Sequence, residues 1–356
     1  MAMAGVVAMA AAALVGVTGC ADLSYYWQSA SGHIKVMSSA RPSDDGLDDA
    51  NPPERLTARL ALSRGIRDFA VRELRLPDNP SYRRYADLQR RAVVWNVVAA
   101  PAYSLTLQQS CFPITGCVGY RGYFDEGEAR AEAARLAAQG YESSVYPVPA
   151  YSTLGWMNWA GGDPLLNTFI NYPEGELARL IFHELAHQVL YAADDTTFNE
   201  SFATAVERLG GARWLATEGS AAAREEYAQY NGRRNQFRAL TQATRKRLER
   251  IYEQTRGDER ESVKQQAMRE FREEYARLSA SWPGDAARYR AYDQWVAQAN
   301  NSSFGAQAVY DELVPGFEAL FAREGGDWTR FYEAAKRLAA MPKAQRHQLL
   351  KEIGSA

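Results

Sequence analysis

Histidine is scarce in this chain, at 4 of 356 residues, and cysteine is scarcer still, at 3. An excess of charge of one sign is also missing, because 41 Lys and Arg nearly balance 43 Asp and Glu and leave a formal net charge of −2. This balance lacks the basic surface on which nucleic-acid binding depends, so we expect no nucleic-acid partner. Internal repeats are not evident, and the length suits one large domain or two smaller ones.

The first 19 residues contain no charged residue at all. This stretch is apolar, yet too short and too rich in Ala and Gly for a typical transmembrane span. It ends at Val17-Thr18-Gly19-Cys20, which resembles the cleavage box of bacterial lipoproteins. We therefore expect residues 1–19 to be a lipoprotein signal peptide and Cys20 to be acylated. The mature chain would be exported, anchored by lipid to a bacterial membrane and facing the periplasm. The alternative is an Ala-rich hydrophobic anchor.

Export would leave Cys111 and Cys117 as the remaining cysteines, with five residues between them. In an oxidising compartment such a pair predicts a local disulfide. A loop this small gains little stability from closure, so the bond would mainly hold a turn. The alternative is a metal-binding pair, but no neighbouring His or Cys completes a site.

Two of the four histidines fall in one motif, His-Glu-Leu-Ala-His over residues 183–187. Positions i and i+4 of an α-helix lie on one face, so His183 and His187 can direct two imidazole nitrogens at one ion. Glu184 is placed to reach a metal-bound water rather than the metal, which is the pattern of zinc hydrolases. The helix is predicted over Glu176–Tyr191, where apolar residues recur at helical spacing. The alternative is a pair of core histidines satisfied by hydrogen bonds.

A catalytic zinc usually has three protein ligands, so one more is needed. A loop over 192–197 and a second helix over Thr197–Leu209, closed by Gly210-Gly211, are predicted next. Glu200 on this helix is the candidate third ligand, and Glu207, two turns further on, is the second choice. By itself Glu200 would be an ordinary carboxylate near a helix N-terminus.

The motif and the Asn199-Glu200-Ser201-Phe202-Ala203 segment after it resemble the gluzincin metallopeptidases, which include the large zinc aminopeptidases. The chain resembles more closely a bacterial family of predicted aminopeptidases, many of them lipoproteins. The residues that carry this second resemblance lie in five stretches: 111–117, 120–124, 151–156, 163–166 and 181–203. The chain departs from these relatives by a short interval between His187 and Glu200 and by an apparent insertion over 157–162.

The resemblance implies zinc-dependent peptide hydrolysis of the aminopeptidase type, with Glu184 activating a zinc-bound water and then protonating the leaving amine. His183, His187 and Glu200 would hold the zinc, and Tyr310 or Tyr191 would stabilise the oxyanion. The substrate would be a peptide or a protein. One alternative is an endopeptidase acting on envelope or misfolded proteins. Another is a non-catalytic, membrane-tethered binding lipoprotein.

The predicted fold class is α+β and mostly helical, with a zincin-like core built on a small sheet and the active-site helix, plus a long helical hairpin. The predicted segments are a signal peptide (1–19), a tether (20–53), a metallopeptidase core (54–220), the hairpin (221–285) and C-terminal helices packing on the core (286–356).

Within the core we predict a short helix, three strands and a second helix. The helices are 82–91 and 127–139, and the strands are 92–98, 118–124 and 143–151. Pro147 and Pro149 confine the last strand to a sheet edge. We take Tyr151–Gly155 as the candidate segment for aligning a substrate backbone, with a plain loop as the alternative.

Overall fold

The computed structural model describes residues 20–42, 53–112, 116–257, 259–284 and 289–355. The helices are α1 (Cys20–Ser39), α2 (Glu54–Arg72), α3 (Glu126–Ala138), α4 (Glu174–Ala186), α5 (Thr196–Thr217), α6 (Ala221–Gln254), α7 (Glu259–Ala280), α8 (Arg290–Gln298), α9 (Asn301–Asp311), α10 (Val314–Arg323), α11 (Trp328–Ala339) and α12 (Lys343–Ser355). The strands are β1 (Arg41–Pro42), β2 (Arg84–Ala86), β3 (Val94–Pro101), β4 (Ser110–Phe112), β5 (Gly116–Val118), β6 (Arg121–Tyr123), β7 (Tyr141–Val148) and β8 (Leu165–Leu166).

The largest ladder is an antiparallel sheet in the order β6-β3-β7. Asn96 in the central strand pairs with Gly122 on one side and Tyr146 on the other. Side chains alternate between the faces of a strand, so Trp95 and Val97 pack on α3. Val94 and Asn96 face the opposite way and line a large cleft. The prediction that the third strand lies at a sheet edge is confirmed.

Helices α4 and α5 form the centre of the main core. Leu177, Ile181, Phe182 and Leu185 on α4 are fully buried, as the helical spacing of the apolar residues predicts. Helix α5 was predicted to end at Gly210-Gly211, but it continues to Thr217. The two glycines allow close packing instead of ending the helix. A Cβ added at Gly210 would lie 2.6 Å from Leu74 Cδ1, and one at Gly211 would lie 2.6 Å from Arg179 Cγ.

Helices α6 and α7 form a hairpin with its own apolar cluster, which includes Phe237, Leu248, Met268 and Phe271. Gly257, between the helices, has a φ of +63°, a conformation that glycine adopts without strain. The C-terminal helices α10 and α11 pack on α5 through aromatic rings. The ring pairs are Phe198–Phe317, Phe202–Phe317 and Phe202–Phe331.

Besides the end of α5, three further sequence-based predictions are wrong. The helix predicted over 82–91 is replaced by β2 and turns, because Tyr82 and Gln89 have φ values of +62° and +52°. The strand predicted over 118–124 is broken at Gly119-Tyr120 into β5 and β6. The tether predicted over 20–53 begins instead with the 20-residue helix α1. The residues of the tether from 43 to 52 lie outside the described part of the chain.

Asp195 connects the start of α5 to the C-terminal helix. Its carboxylate accepts from Phe198 N at 3.2 Å, Arg346 Nε at 2.7 Å and His347 Nε2 at 2.9 Å. The side chain is buried, and burial alone would raise the pKa of Asp195. The hydrogen bond and charge of His347, with Phe198 N–H and Lys343, outweigh burial and lower the pKa below its ordinary value.

We expect Asp195→Asn to destabilise the protein by about 2 kcal/mol at pH 7, since a buried charged hydrogen-bond network loses its anion. Because the folded-state pKa is lowered, this contribution is present above the unfolded pKa and is lost as the pH falls through the folded value. Urea unfolding at pH 7 and near pH 3 would measure both effects. The variant Glu273→Gln, which removes an exposed carboxylate from α7, should stay within about 0.5 kcal/mol of the parent. An equal loss for Asp195→Asn at both pH values would contradict the electrostatic explanation.

Candidate metal centre

His183 and His187 lie together at the C-terminal end of α4. Their Nε2 atoms are 3.2 Å apart. Regular helix ends at Ala186, five residues before the predicted end, but His187 keeps helical angles (φ −60°, ψ −19°). The i and i+4 relation between the two rings is therefore preserved.

Glu200 reaches the same point from the first turns of α5. Its Oε2 lies 3.3 Å from His183 Nε2 and 3.6 Å from His187 Nε2. The connection between the helices is held by Asn199, whose side-chain amide accepts from Ala192 N and donates to Ala192 O, both at 2.8 Å. Sequence reasoning missed this role of Asn199. The signal that could have indicated this role is that Asn199 directly precedes the candidate ligand Glu200.

The three atoms are spaced as a tetrahedral metal site requires. Ligand atoms about 2.05 Å from a tetrahedral zinc ion lie about 3.3 Å from one another. The distances of 3.2, 3.3 and 3.6 Å agree with that value. Two imidazoles and one carboxylate are also the donor types that zinc takes at catalytic sites. Among the described residues, His183, His187 and Glu200 thus form a group fit to hold one such ion.

The charges around this group favour a cation. Burial would lower the pKa of His183, but the carboxylates of Glu200 and Glu207 outweigh it and raise the pKa well above its ordinary value. Burial would likewise raise the pKa of Glu200, yet the two histidines hold that pKa well below its usual range. The group thus binds positive charge, as proton or as metal, and both compete for the same nitrogens.

Glu207 lies behind His183 and not among the ligand atoms. Its Oε2 is 3.0 Å from His183 Nδ1, the nitrogen that faces away from the cluster, and its Oε1 pairs with buried Arg179. Burial would raise the pKa of Glu207, but Arg179 and His183 lower it to about 2. Of the two candidates for third ligand, the structure places Glu200 with the histidines and Glu207 where it orients His183.

We expect Glu207→Gln to weaken zinc binding about 10- to 100-fold, the usual effect of removing a carboxylate that supports a ligand histidine. Competition with a chromogenic chelator would measure it. Glu176→Gln is the matched control, because Glu176 also lies beside Arg179 but has no contact with His183. Equal zinc affinity in Glu207→Gln and the parent would show that the contact with Nδ1 does not matter.

The metal group opens into a cleft of about 580 Å³. Glu184 lines this cleft beside the three candidate ligands, and burial raises its pKa although both histidines lower it in part. Six tyrosines also line it, among them Tyr120, Tyr191 and Tyr310. The Tyr310 ring stacks on His183 with centroids 6.4 Å apart. Glu200 is the largest cause of the raised pKa of Tyr310, so this phenol stays protonated and able to donate.

A family model described as "Putative aminopeptidase" matches residues 24–350. The chain belongs to this family. Membership indicates a peptidase with a peptide substrate. Searches of the curated proteins and of the solved structures returned no match.

One wall of the cleft in this aminopeptidase-family chain comes from α1, which sequence reasoning took for tether. Tyr25, Tyr26, Ser29 and His33 of α1 line the same cleft as Glu184. The helix also contacts the opposite wall directly, because His33 Nδ1 lies 2.5 Å from Tyr151 Oη. The consecutive aromatic residues Tyr25-Tyr26-Trp27 were the signal that this segment packs on the body.

The segment Tyr151–Gly155, the candidate for aligning a substrate backbone, is not a strand but a turn, which agrees with its alternative, a plain loop. Leu154 and Gly155 have φ values of +55° and +79°, which no strand allows. The outer edge of β6 lies by the cleft instead, and α1 covers it. The Gln28 side-chain amide accepts from Phe124 N at 3.0 Å and donates to Gly122 O at 3.3 Å. It therefore occupies one backbone donor and one backbone acceptor along that edge.

Cys111 and Cys117 are joined in a disulfide that bridges paired positions of β4 and β5. The hairpin is attached to the loop before α5, since Asp194 Oδ1 accepts from Cys117 N at 2.7 Å. Phe112 and Val118, next to the two cysteines, line the cleft. The disulfide therefore stabilises a part of the cleft wall.

No helix in the described part of the chain is long and apolar enough to cross a membrane. The predicted signal peptide, residues 1–19, lies outside the described residues, as does the side chain of Cys20.

Proposed function

We propose that this chain is a zinc-dependent aminopeptidase of the gluzincin type, with a zincin-like core formed by the β6-β3-β7 sheet and helices α4 and α5. His183, His187 and Glu200 are the proposed zinc ligands. The observation that carries the proposal is the spacing of their three donor atoms, which matches the edges of a zinc tetrahedron.

Zinc bound there would supply a Lewis acid that lowers the pKa of water toward about 7 and polarises the scissile carbonyl. Glu184 is the proposed general base: its carboxylate takes a proton from the attacking water and passes it to the leaving amine. A carboxyl whose pKa is raised by burial suits both halves of this transfer. A bound cation nearby would lower that pKa and keep the group ionised for the first half.

Tyr310 is the proposed donor to the developing oxyanion. It is one of the two tyrosines considered from the sequence, and the stacking of its ring on His183 supports the proposal. Tyr191 also lines the cleft and is the second candidate. A protonated phenol donates a hydrogen bond to an oxyanion without itself changing charge.

A substrate panel tests the proposed activity. We expect hydrolysis of amino-acid amides and short peptides with a free amino terminus, loss of that activity with 1,10-phenanthroline, and its return with added zinc. N-acetylated versions of the same peptides should be poor substrates. Internal cleavage of acetylated or unfolded chains at a comparable rate would show an endopeptidase. Activity that resists the chelator would contradict the zinc mechanism.

We also propose that the mature chain begins at Cys20 and is lipid-anchored on the periplasmic side of a bacterial membrane. The sequence Val17-Thr18-Gly19-Cys20 after an uncharged apolar stretch supports this proposal. Mass spectrometry of the membrane fraction should find a chain starting at an acylated Cys20. Cys20→Ala should leave the protein unprocessed, and a processed, lipid-free chain from the parent would contradict the proposal.

A further inference from the structure

The exposed apolar side chains of this protein are concentrated in two segments. Five large apolar residues in the described chain are more than 40% exposed, and every other one is at or below 37%. Trp159 and Trp27 are the most exposed, at 84% and 75%. The five residues are Tyr26, Trp27, Ile34, Trp156 and Trp159. They belong either to α1 or to the loop over 151–162.

Trp27 and Ile34 point outward because the opposite face of α1 packs on the protein body. That face is fixed on the body by the Gln28 amide, by Gly32 against the Phe124 ring, and by fully buried Val36. With 3.6 residues per turn, Trp27 and Ile34 fall together on the other side of the helix. Helix α1 thus presents Trp27 and Ile34 on its outer side, and no element of the described chain covers them.

The loop over 151–162 contributes the second half of the surface. Its twelve residues contain no charged side chain. Its backbone is held by Arg84, whose guanidinium donates to the carbonyls of Ala160, Gly161 and Gly162 at 3.0 to 3.2 Å. This loop differs from an ordinary polar surface loop, because Arg84 holds its end in place and two of its tryptophans, Trp156 and Trp159, are exposed. The contact between His33 and Tyr151 places this loop directly beside α1.

We propose that the outer face of α1 and the loop over 151–162 form a membrane-docking surface. Tryptophan is enriched at the membrane–water interface, where its ring is buried among headgroups and its N–H stays hydrated. Exposed tryptophans on a helix and on the loop beside it are the anchors expected where a protein surface rests at that interface.

The lipid bilayer is the occupant favoured by the chain itself. Helix α1 begins at Cys20, directly after the apolar run of residues 1–19. At 1.5 Å per residue, Trp27 lies about 10 Å and Ile34 about 21 Å along the helix from Cys20. On the membrane anchoring proposed above, this end of α1 would lie at the bilayer whether residues 1–19 are retained or replaced by lipid. The docking surface would then place the mouth of the cleft next to the membrane.

Vesicle binding tests the proposal without relying on the lipid anchor or on the metal. The chain beginning at Ala21 retains the core, because the buried apolar residues lie between Val36 and Leu350. We expect it to bind vesicles of phosphatidylethanolamine and phosphatidylglycerol, and also vesicles of phosphatidylcholine, with a blue shift of tryptophan emission. The double variant Trp27→Ser/Trp159→Ser should bind roughly 100-fold more weakly, since each buried large apolar side chain is worth about a factor of ten or more.

Met341→Ser/Leu349→Ser is the matched control, because both residues are 36% exposed but lie at the C-terminal end of the chain. It should bind within about twofold of the parent, as surface changes outside an interface have small effects. Equal binding by the tryptophan double variant and the parent would overturn the proposal, as would no binding by the parent. A parent dimer in sedimentation that the tryptophan double variant converts to monomer would assign the surface to a second copy of the chain and overturn it as well. None of these outcomes depends on zinc content or peptidase activity.

Discussion

Replacing Glu184 by glutamine is expected to lower kcat by about 10²- to 10⁴-fold while the bound zinc remains. Glutamine has nearly the same shape as glutamate, so it preserves the packing beside the two histidines. It has no carboxylate, however, and takes no proton from the attacking water. The loss should appear in kcat, because the step that fails is the chemical one.

Zinc content and thermal unfolding of Glu184→Gln must be measured beside the kinetics. Unchanged zinc and unchanged stability would assign the loss to the missing base. Glu176→Gln is a suitable comparison, because it removes a carboxylate from the same helix that does not line the cleft. If Glu184→Gln keeps more than about a tenth of the parent rate, Glu184 is not the general base.

The second large effect is expected for Glu200→Gln, which should lose zinc and activity together. Glutamine removes the negative charge that, with two neutral imidazoles, completes the proposed ligand set. The loss of zinc affinity should exceed the roughly 10- to 100-fold expected for Glu207→Gln, because Glu200 contacts the ion and Glu207 acts through His183.

Zinc titration of the two variants side by side compares these roles directly. Both side chains lie on α5 and both contact His183, Glu200 at Nε2 and Glu207 at Nδ1. Toward His183, the two carboxylates therefore differ in which ring nitrogen they face. Tighter zinc binding by Glu200→Gln than by Glu207→Gln would reverse the assignment of ligand and supporting residue.

The histidine pair was predictable because its geometry follows from helix periodicity. His183 and His187 needed only a helix that keeps i and i+4 on one face. The choice between Glu200 and Glu207 was not predictable in the same way. Both recur on a similar face of α5, and only the short connection held by Asn199 decides which carboxylate meets the Nε2 atoms.

Predictions failed where tertiary contacts decide the local conformation. Gly210 and Gly211 resemble a helix end, but α5 runs through them. They are glycines because Phe182 and Arg179 of α4 occupy the space that side chains at these positions would fill. Tyr82 interrupts the predicted helix because its N–H donates to Asp163 O at 2.6 Å across the core. Phe182, Arg179 and Asp163 all lie far in the sequence from the residues they contact, so local propensity carries no information about these contacts.

The N-terminal segment is the error with the largest consequence for function. Polar and turn-forming residues over 38–53 dominate its composition and suggested a tether. The part before them, α1, instead forms a wall of the cleft and covers the outer edge of β6. A substrate that adds to this edge as a strand would have to replace the Gln28 amide. Helix α1 is therefore part of the wall of the proposed substrate cleft.

Native mass spectrometry of the purified protein beside His183→Ala tests the central claim, that His183, His187 and Glu200 hold one zinc ion. We predict one zinc per chain in the parent and none in the variant, because removal of one of three ligands leaves too few donors to retain the ion through purification. Equal zinc content in the two proteins, or no zinc uptake by the parent when zinc is supplied, would contradict it.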